Sequence, residues 1–223
     1  MSLLYIVAES DRDALFYTLC AEVVTGRGYT LHSLRNRKGE GEAAVRRQMR
    51  YALQQAKSAA AAGDVYFVAS IDNDRAPHPE NEQRLLRTQL IRKERERRSR
   101  LEWLDETLAE KLGSDPAVWT LPLAIAIPVE MIESWIIQIL EPDADQRALP
   151  FFSLADTDRA RAYYGRPDPP AQCKDRCEEH QQRLAQVDRE DFLVAVAVQL
   201  NPDALAARCR SFALFKEGLD GWK

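Results

Sequence analysis

Short apolar runs alternate with amphipathic segments along the first part of the chain. Residues 3–8 (LLYIVA) and 65–71 (VYFVASI) are continuous apolar runs, which are typical of strands buried on both faces of a parallel sheet. From Asp11, leucine and valine recur every four residues and predict a helix that ends near Gly26. This alternation predicts an α/β fold with a mostly parallel sheet and helices on both faces.

The same periodicities predict the elements that complete the core. A second strand is expected over residues 29–34, and long helices are expected over residues 42–62 and 80–112. A further apolar strand at 119–129 leads into a helix at 131–140. Strands that alternate with helices in this way form parallel sheets with right-handed crossovers.

After Pro142 the pattern weakens, and the chain then becomes helical. Helices are expected over residues 173–187 and 191–214. We therefore predict an α/β core over residues 1–142 and a helical C-terminal extension over 143–223 that packs on it.

Composition narrows the class of protein only slightly. The 223 residues include 45% hydrophobic and 30% charged residues, enough for a packed core, and the net charge is −4. A nucleic-acid binder with this charge would need a local basic surface. The longest apolar stretch is about half of the roughly 20 residues that a bilayer span needs, and no signal-peptide pattern is present, so we expect a cytoplasmic protein without membrane contact.

Acidic residues follow two of the predicted strands. Glu9 comes after the first strand, with Asp13 one helical turn later, and Asp72 and Asp74 come after the third. If the strands are neighbours, these carboxylates meet at the sheet edge where α/β proteins bind ligands. Clustered carboxylates repel one another unless a cation lies between them, and oxygen ligands suit Mg²⁺ or Mn²⁺. A metal site is therefore predicted here.

A simpler interpretation of these acids stays open. Acidic residues at strand ends and helix starts often only cap helices or favour the first helical turn. This applies to Asp11 and Asp13, which both lie at the start of the first predicted helix.

The arrangement of acids resembles a known family. The pattern E-x-x-x-D at Glu9 and Asp13, and the pattern D-x-D at Asp72 and Asp74, look like the Toprim domain of topoisomerases, primases and overcoming-lysogenization-type nucleases. The family usually has glycine after the first glutamate, where this chain has Ser10.

The rest of the chain is most similar to one branch, the small bacterial Toprim-like proteins of unknown function. The marks of this branch extend over nearly the whole chain. They are a glycine-rich loop at Lys38-Gly39-Glu40-Gly41, the motif I-E-x-W at Ile132, Glu133 and Trp135, and a closing segment at Asn201-Pro202, Arg210-Ser211-Phe212 and Phe215.

The resemblance implies a Mg²⁺-dependent nuclease that hydrolyses phosphodiesters of DNA or RNA. Asp72 and Asp74 would hold the metal, and Glu9 would act as general acid or base or share a metal. Glu133 would complete a second metal position or orient a water. Related proteins are often encoded beside an ATPase of the ABC or structural-maintenance type, in genes resembling antiphage defence systems, so such a partner is expected.

A basic loop lies beside the predicted acids. Arg35, Arg37 and Lys38 follow the second strand, which should end at the same sheet edge. Because Lys and Arg neutralise phosphates, we expect these residues to contact nucleic acid. A leucine stripe at 101–112 is interpreted as core packing, with dimerisation as the lesser alternative.

Other functions compete with a nuclease. A haloacid-dehalogenase-like phosphatase carries D-x-D on its first strand, where this chain has Glu9, and a receiver domain would be far shorter. A non-catalytic metal-binding regulator or scaffold of an ATPase complex is the main alternative. A zinc site at Cys173, Cys177 and His180 is disfavoured because no distant second ligand pair is visible.

Overall fold

The computed structural model describes residues 2–33, 42–70, 100–113, 121–128, 132–141, 177–183 and 188–223. Within these residues, four strands form one all-parallel sheet in the order β2-β1-β3-β4. The strands are β1 (Ser2–Val7), β2 (Tyr29–Ser33), β3 (Val65–Ser70) and β4 (Leu123–Ala126). The predicted α/β class with a parallel sheet, of the Rossmann-like type, is confirmed.

The helices include those that were expected on both sides of the sheet and after it. None of those in the described ranges combines the length and the apolar character that a bilayer crossing needs. They are α1 (Asp11–Thr25), α2 (Glu42–Ala60), α3 (Arg100–Leu112), α4 (Glu133–Leu140), α5 (Arg189–Val198), α6 (Pro202–Arg208) and α7 (Arg210–Asp220), with residues 177–183 also helical.

The chain forms two compact units, and each is described by itself. The sheet unit contains the four strands, α1, α2, α3 from Trp103 and the end of α7 from Leu214. The helical unit contains α4, residues 177–183, α5, α6 and the start of α7 up to Ala213. The division into a core over 1–142 and an extension over 143–223 stays a prediction.

The sheet is buried because helices cover both of its faces. Side chains alternate between the faces along each strand, and directly paired residues share a face. On one face, Gly218 of α7 lies against Ala124 of β4, and α7 also contacts α1 through the rings of Tyr17 and Phe215 at 5.7 Å. On the other face, α2 packs beside Tyr5 of β1. The prediction of helices on both faces is confirmed.

An aromatic cluster packs the segment that follows α7 against the amino edge of the sheet, where the strands begin. The Tyr66 ring lies 5.4 Å from that of Tyr29 and 5.0 Å from that of Trp222. Arg27 donates one hydrogen bond to the Tyr66 hydroxyl at 2.7 Å and another to the Lys223 carbonyl at 3.1 Å. The first and last described segments of the sheet unit therefore meet at this edge.

The single helix predicted over residues 191–214 is wrong. The structure has three helices in this region, and α7 continues to Asp220. The break lies at Asn201, whose side chain accepts a hydrogen bond from the Ala204 amide at 3.1 Å, and Pro202 occupies the first turn of α6. Asparagine is a strong N-cap and proline at the first helical position cannot continue a preceding helix, so the break has a local cause.

The strand predicted over residues 119–129 is shorter than expected. Within the described residues 121–128, β4 covers only Leu123–Ala126. Pro122 precedes it and has no N–H to donate, although its carbonyl accepts from the Phe67 amide at 2.9 Å. Proline therefore marks the start of the strand rather than an interruption within it.

Gly218→Ala is expected to destabilise the sheet unit. A Cβ at this position would lie 2.8 Å from Ala124 Cα and 2.9 Å from Ala124 Cβ. Overpacking costs about 1–3 kcal/mol, whereas the helix propensity of alanine returns at most about 1 kcal/mol. We expect a net loss of about 1–2 kcal/mol in the free energy of unfolding, measured by urea denaturation.

Gly63→Ala is the matched control, because a Cβ there would meet no atom within 4 Å. Its stability should stay within about 0.5 kcal/mol of wild type. Equal stability of Gly218→Ala and Gly63→Ala would contradict the close approach of α7 to β4.

Candidate functional site

The strand order places β1 between β2 and β3. β1 pairs with β3 in parallel register from Leu3↔Val65 to Val7↔Ala69, and β2 lies on its other side. The connection from β1 leads through α1 to β2, whereas β3 leads towards β4 on the opposite side. The two connections therefore diverge at the carboxyl ends of β1 and β3. Such a divergence is the usual ligand position in open α/β sheets.

Glu9 lies at this divergence. It is exposed and follows the last residue of β1, Val7, by two positions. Asp72 and Asp74 follow Ser70, the last residue of β3, but lie outside the described residues. The prediction of a shared acidic site required β1 and β3 to be neighbours, and this condition is met.

The basic loop follows the strand on the other side of β1. Ser33, the last residue of β2, pairs with Ile6 of β1. Arg35, Arg37 and Lys38 come next in the sequence and lie outside the described residues. Their expected contact with nucleic acid stays a prediction.

Asp13 takes part in the N-terminal cap of α1. The Ser10 hydroxyl accepts from the Asp13 amide at 3.1 Å, and Asp13 Oδ2 accepts from the Ser10 amide at 3.0 Å. This is a capping box, which satisfies two amides at the helix start. The simpler interpretation of Asp13 is therefore observed, and its role as a metal ligand stays a prediction.

The same cap explains why serine can stand where the resembling family usually has glycine. Ser10 has φ −139° and ψ 163°, an extended conformation that any residue adopts. The turn after Glu9 therefore does not need the conformational freedom of glycine, and the serine hydroxyl stabilises α1 instead.

Glu133 is the first residue of α4 in the helical unit, whereas Glu9 belongs to the sheet unit. Only 7% of Glu133 is exposed, and its backbone carbonyl accepts from the Cys177 thiol at 3.8 Å. Burial of a carboxylate is costly unless it is compensated. The assignment of Glu133 to a metal site stays a prediction.

Two of the motifs that carry the family resemblance contact each other. Trp135 Nε1 donates to the Ser211 hydroxyl at 2.8 Å, and the Trp135 and Phe212 rings meet edge to face at 5.2 Å. All three side chains are buried. Trp135 is therefore part of the core of the helical unit. The contact itself was not predicted, although each motif had been noted separately.

The buried thiols are poor candidates for a nucleophile. Cys20, Cys177 and Cys209 are free cysteines and are buried. Burial raises the pKa of the Cys20 and Cys209 thiols, so they remain protonated. Cys209 Sγ lies 3.3 Å from the Ser211 hydroxyl, which extends the polar contacts of Trp135.

The candidate zinc motif has other contacts. His180 Nε2 lies 2.6 Å from Glu141 Oε1 at the end of α4, while the Cys177 thiol faces the Glu133 carbonyl. Cys173 lies outside the described residues. Among the residues that the structure describes, no three or more His, Cys, Asp or Glu side chains form a group that could hold a metal.

Sequence interpretation missed one feature of the sheet unit. A groove of about 590 Å³ lies between α2 and the face formed by β1 and β2. Its walls include Tyr5, His32 and Tyr51, and we call it the α2 groove. These residues come from two strands and one helix and are brought together only by the strand order and the placement of α2, so no local sequence signal marks the groove.

Comparison with known proteins found no relative of this chain. No family model matches the chain, and neither the curated proteins nor the solved structures gave a match. The resemblance to Toprim proteins therefore stays a prediction based on the motifs.

Ser211→Ala is expected to destabilise the helical unit by about 1–3 kcal/mol. The substitution removes the hydrogen-bond acceptor of the buried Trp135 indole, and a buried donor that loses its partner costs about this amount. Thermal and urea denaturation would measure the loss.

Ser58→Ala is the control, because its exposed hydroxyl only donates to the Gln54 carbonyl within α2. It should change stability by less than about 0.5 kcal/mol. Wild-type stability of Ser211→Ala together with a loss of activity would show that the motif serves function rather than packing.

Proposed function

We propose that the protein is a Mg²⁺-dependent nuclease of Toprim type that hydrolyses nucleic-acid phosphodiesters. One observation carries the proposal. β1 and β3 are adjacent parallel strands, and their carboxyl ends lead in the sequence to Glu9 and to Asp72-Asn73-Asp74. Diverging connections at this point favour a ligand site there.

The chemistry of these residues fits a magnesium ion. Mg²⁺ in phosphoryl-transfer sites is held by one or two carboxylates and by the substrate phosphates. Asp72 and Asp74 would supply the carboxylates, and Asp13 would contribute only through the part of its side chain not used by the Ser10 cap. When bound, the ion would neutralise charge on the phosphate and activate water.

Glu9 would transfer protons or share the metal. Its side chain is exposed at the end of β1, so a long polymeric substrate can approach it. General acid–base catalysis by a positioned carboxylate typically contributes about 10²–10⁴-fold to the rate. No tyrosine stands out as a covalent nucleophile, so hydrolysis by water is preferred to strand passage.

Arg35, Arg37 and Lys38 would hold the phosphate backbone beside the acids. The position of β2 next to β1 supports this, because the basic loop follows the Ser33 end of β2. Partnership with an ABC or structural-maintenance-type ATPase, and a role in antiphage defence, rest on the family resemblance alone.

The proposal is tested by cleavage of labelled single- and double-stranded DNA and RNA with Mg²⁺ or Mn²⁺. Glu9→Gln and the double variant Asp72→Asn/Asp74→Asn should each lose at least about 100-fold in rate, because they lose the proton-transfer group or the metal ligands. The double variant should also lose most of the increase in Tm that Mn²⁺ gives to wild type.

Asp64→Asn is the matched control, since this exposed carboxylate lies just before β3, at the opposite edge of the sheet. It should keep wild-type activity and metal response. Stabilisation by Mn²⁺ without cleavage of any substrate would favour the non-catalytic regulator. A double variant that keeps the metal response would place the ion elsewhere.

Glu133→Gln tests whether Glu133 takes part in catalysis. The amide keeps the shape of the buried side chain but removes its charge, so we expect activity to fall while the fold is retained. The control is Glu190→Gln, an exposed acid in the first turn of α5. Both changes remove a first-turn charge worth about 0.3–1 kcal/mol. Wild-type activity of Glu133→Gln would show that Glu133 contributes only a negative charge at the start of α4.

A further inference from the structure

The α2 groove is a second candidate binding site in the sheet unit. It has a volume of about 590 Å³, within the range of about 300–1,000 Å³ that small-molecule sites occupy. Two strands and one helix form its walls, and all belong to the same compact unit. Its side chains include Tyr5, His32, Tyr51, Gln54, Gln55 and Ser58.

Aromatic rings form much of the wall. The Tyr5 and His32 rings are paired across β1 and β2, with centroids 4.6 Å apart. Tyr51 is 57% exposed on α2, and its hydroxyl accepts from Gln55 Nε2 at 2.6 Å. This hydrogen bond holds an exposed ring at the mouth of the groove.

The polar side chains of the groove are those of tyrosine, histidine, glutamine and serine. No Lys, Arg, Asp or Glu belongs to the described lining, so neither a phosphate nor a metal ion is matched by charge. Tyr5 is only 6% exposed, and its hydroxyl makes no hydrogen bond within the described part of the chain. The amide of Gln54 offers a donor and an acceptor in one plane. The groove therefore suits a flat ring with polar edges.

We propose that the α2 groove binds an unpaired base of a single-stranded nucleic acid. The inference rests on the proposed nuclease function, because it assigns the substrate a single-stranded form. Bases stack on exposed aromatic side chains in proteins that bind single strands, and a glutamine amide can pair with the N6 and N7 edge of adenine.

The groove is close enough to the proposed catalytic edge to serve the same strand. Tyr5 and Glu9 are four residues apart along the end of β1, so their Cα atoms are separated by at most about 14 Å. A strand with one base in the groove can therefore extend towards Glu9.

The test is the fluorescence anisotropy of labelled oligo(dA) with the full chain in EDTA, where metal-dependent cleavage does not occur. Tyr51→Ala should weaken binding by about 5-fold to 100-fold, the range found when a stacking ring is removed. Tyr51→Phe keeps the ring and should bind much more tightly than Tyr51→Ala, although below wild type, because it loses only the Gln55 contact that holds the ring. His32→Ala should also weaken binding, and Val198→Ala, which changes an exposed side chain of the helical unit, should not.

Oligonucleotides with abasic sites in place of adenines identify what is recognised. Wild type should bind the abasic strands more weakly than oligo(dA). Tyr51→Ala should bind the abasic strands and oligo(dA) equally. Three results would each overturn the proposal. They are equal binding of both strands to wild type, wild-type affinity of Tyr51→Ala, and no binding in EDTA. Competition by adenosine monophosphate at the same concentration as the strand would assign the groove to free nucleotides and overturn it as well.

Failure of the groove and failure of the nuclease give different results. Cleavage with Mg²⁺ that depends on Glu9 but not on Tyr51 would keep the nuclease and reject the groove. Base-dependent binding in EDTA without cleavage under any metal would support the groove as a binding site and reject the nuclease.

Discussion

The parallel pairing of β1 with both β2 and β3 is the constraint on which the sheet unit depends. A central strand has its backbone groups satisfied on both edges, and in a parallel sheet the crossover helices also cover both of its faces. Leu4, Ile6 and Val7 are accordingly fully buried. The same pairing separates the connections that leave β1 and β3, and this separation favours ligand binding beside Glu9.

In the helical unit, the main constraint is the pairing of buried polar groups. α4 is buried on all sides, so its polar side chains need partners within the protein. Trp135 finds one in Ser211, which also approaches Cys209, and the Glu133 carbonyl accepts from Cys177. Polar contacts of this kind between distant segments favour one packing arrangement over others. The motif residues therefore have a structural use whatever their role in catalysis.

The pattern of hydrophobic residues predicted the sheet well. The strands at 3–8 and 65–71 are buried on both faces, so each appears in the sequence as a continuous apolar run. The pattern failed at Asn201, where a capping side chain and Pro202 break a helix whose apolar period continues. An aspartate three residues after a serine is compatible with a capping box and with metal binding alike, and only the contacts between Ser10 and Asp13 show the cap. The α2 groove was beyond prediction, since Tyr5, His32 and Tyr51 meet only through strand order and helix placement.

The aromatic cluster at the amino edge joins segments that are far apart in the sequence. Arg27 and the Lys223 carbonyl are 196 residues apart in sequence, yet they are joined by a hydrogen bond. Trp222, which is 4% exposed, completes the cover over Tyr29 and Tyr66. The cover over this edge can therefore be completed only after residues 222 and 223 have been synthesised, and contacts of such long range are slow to form.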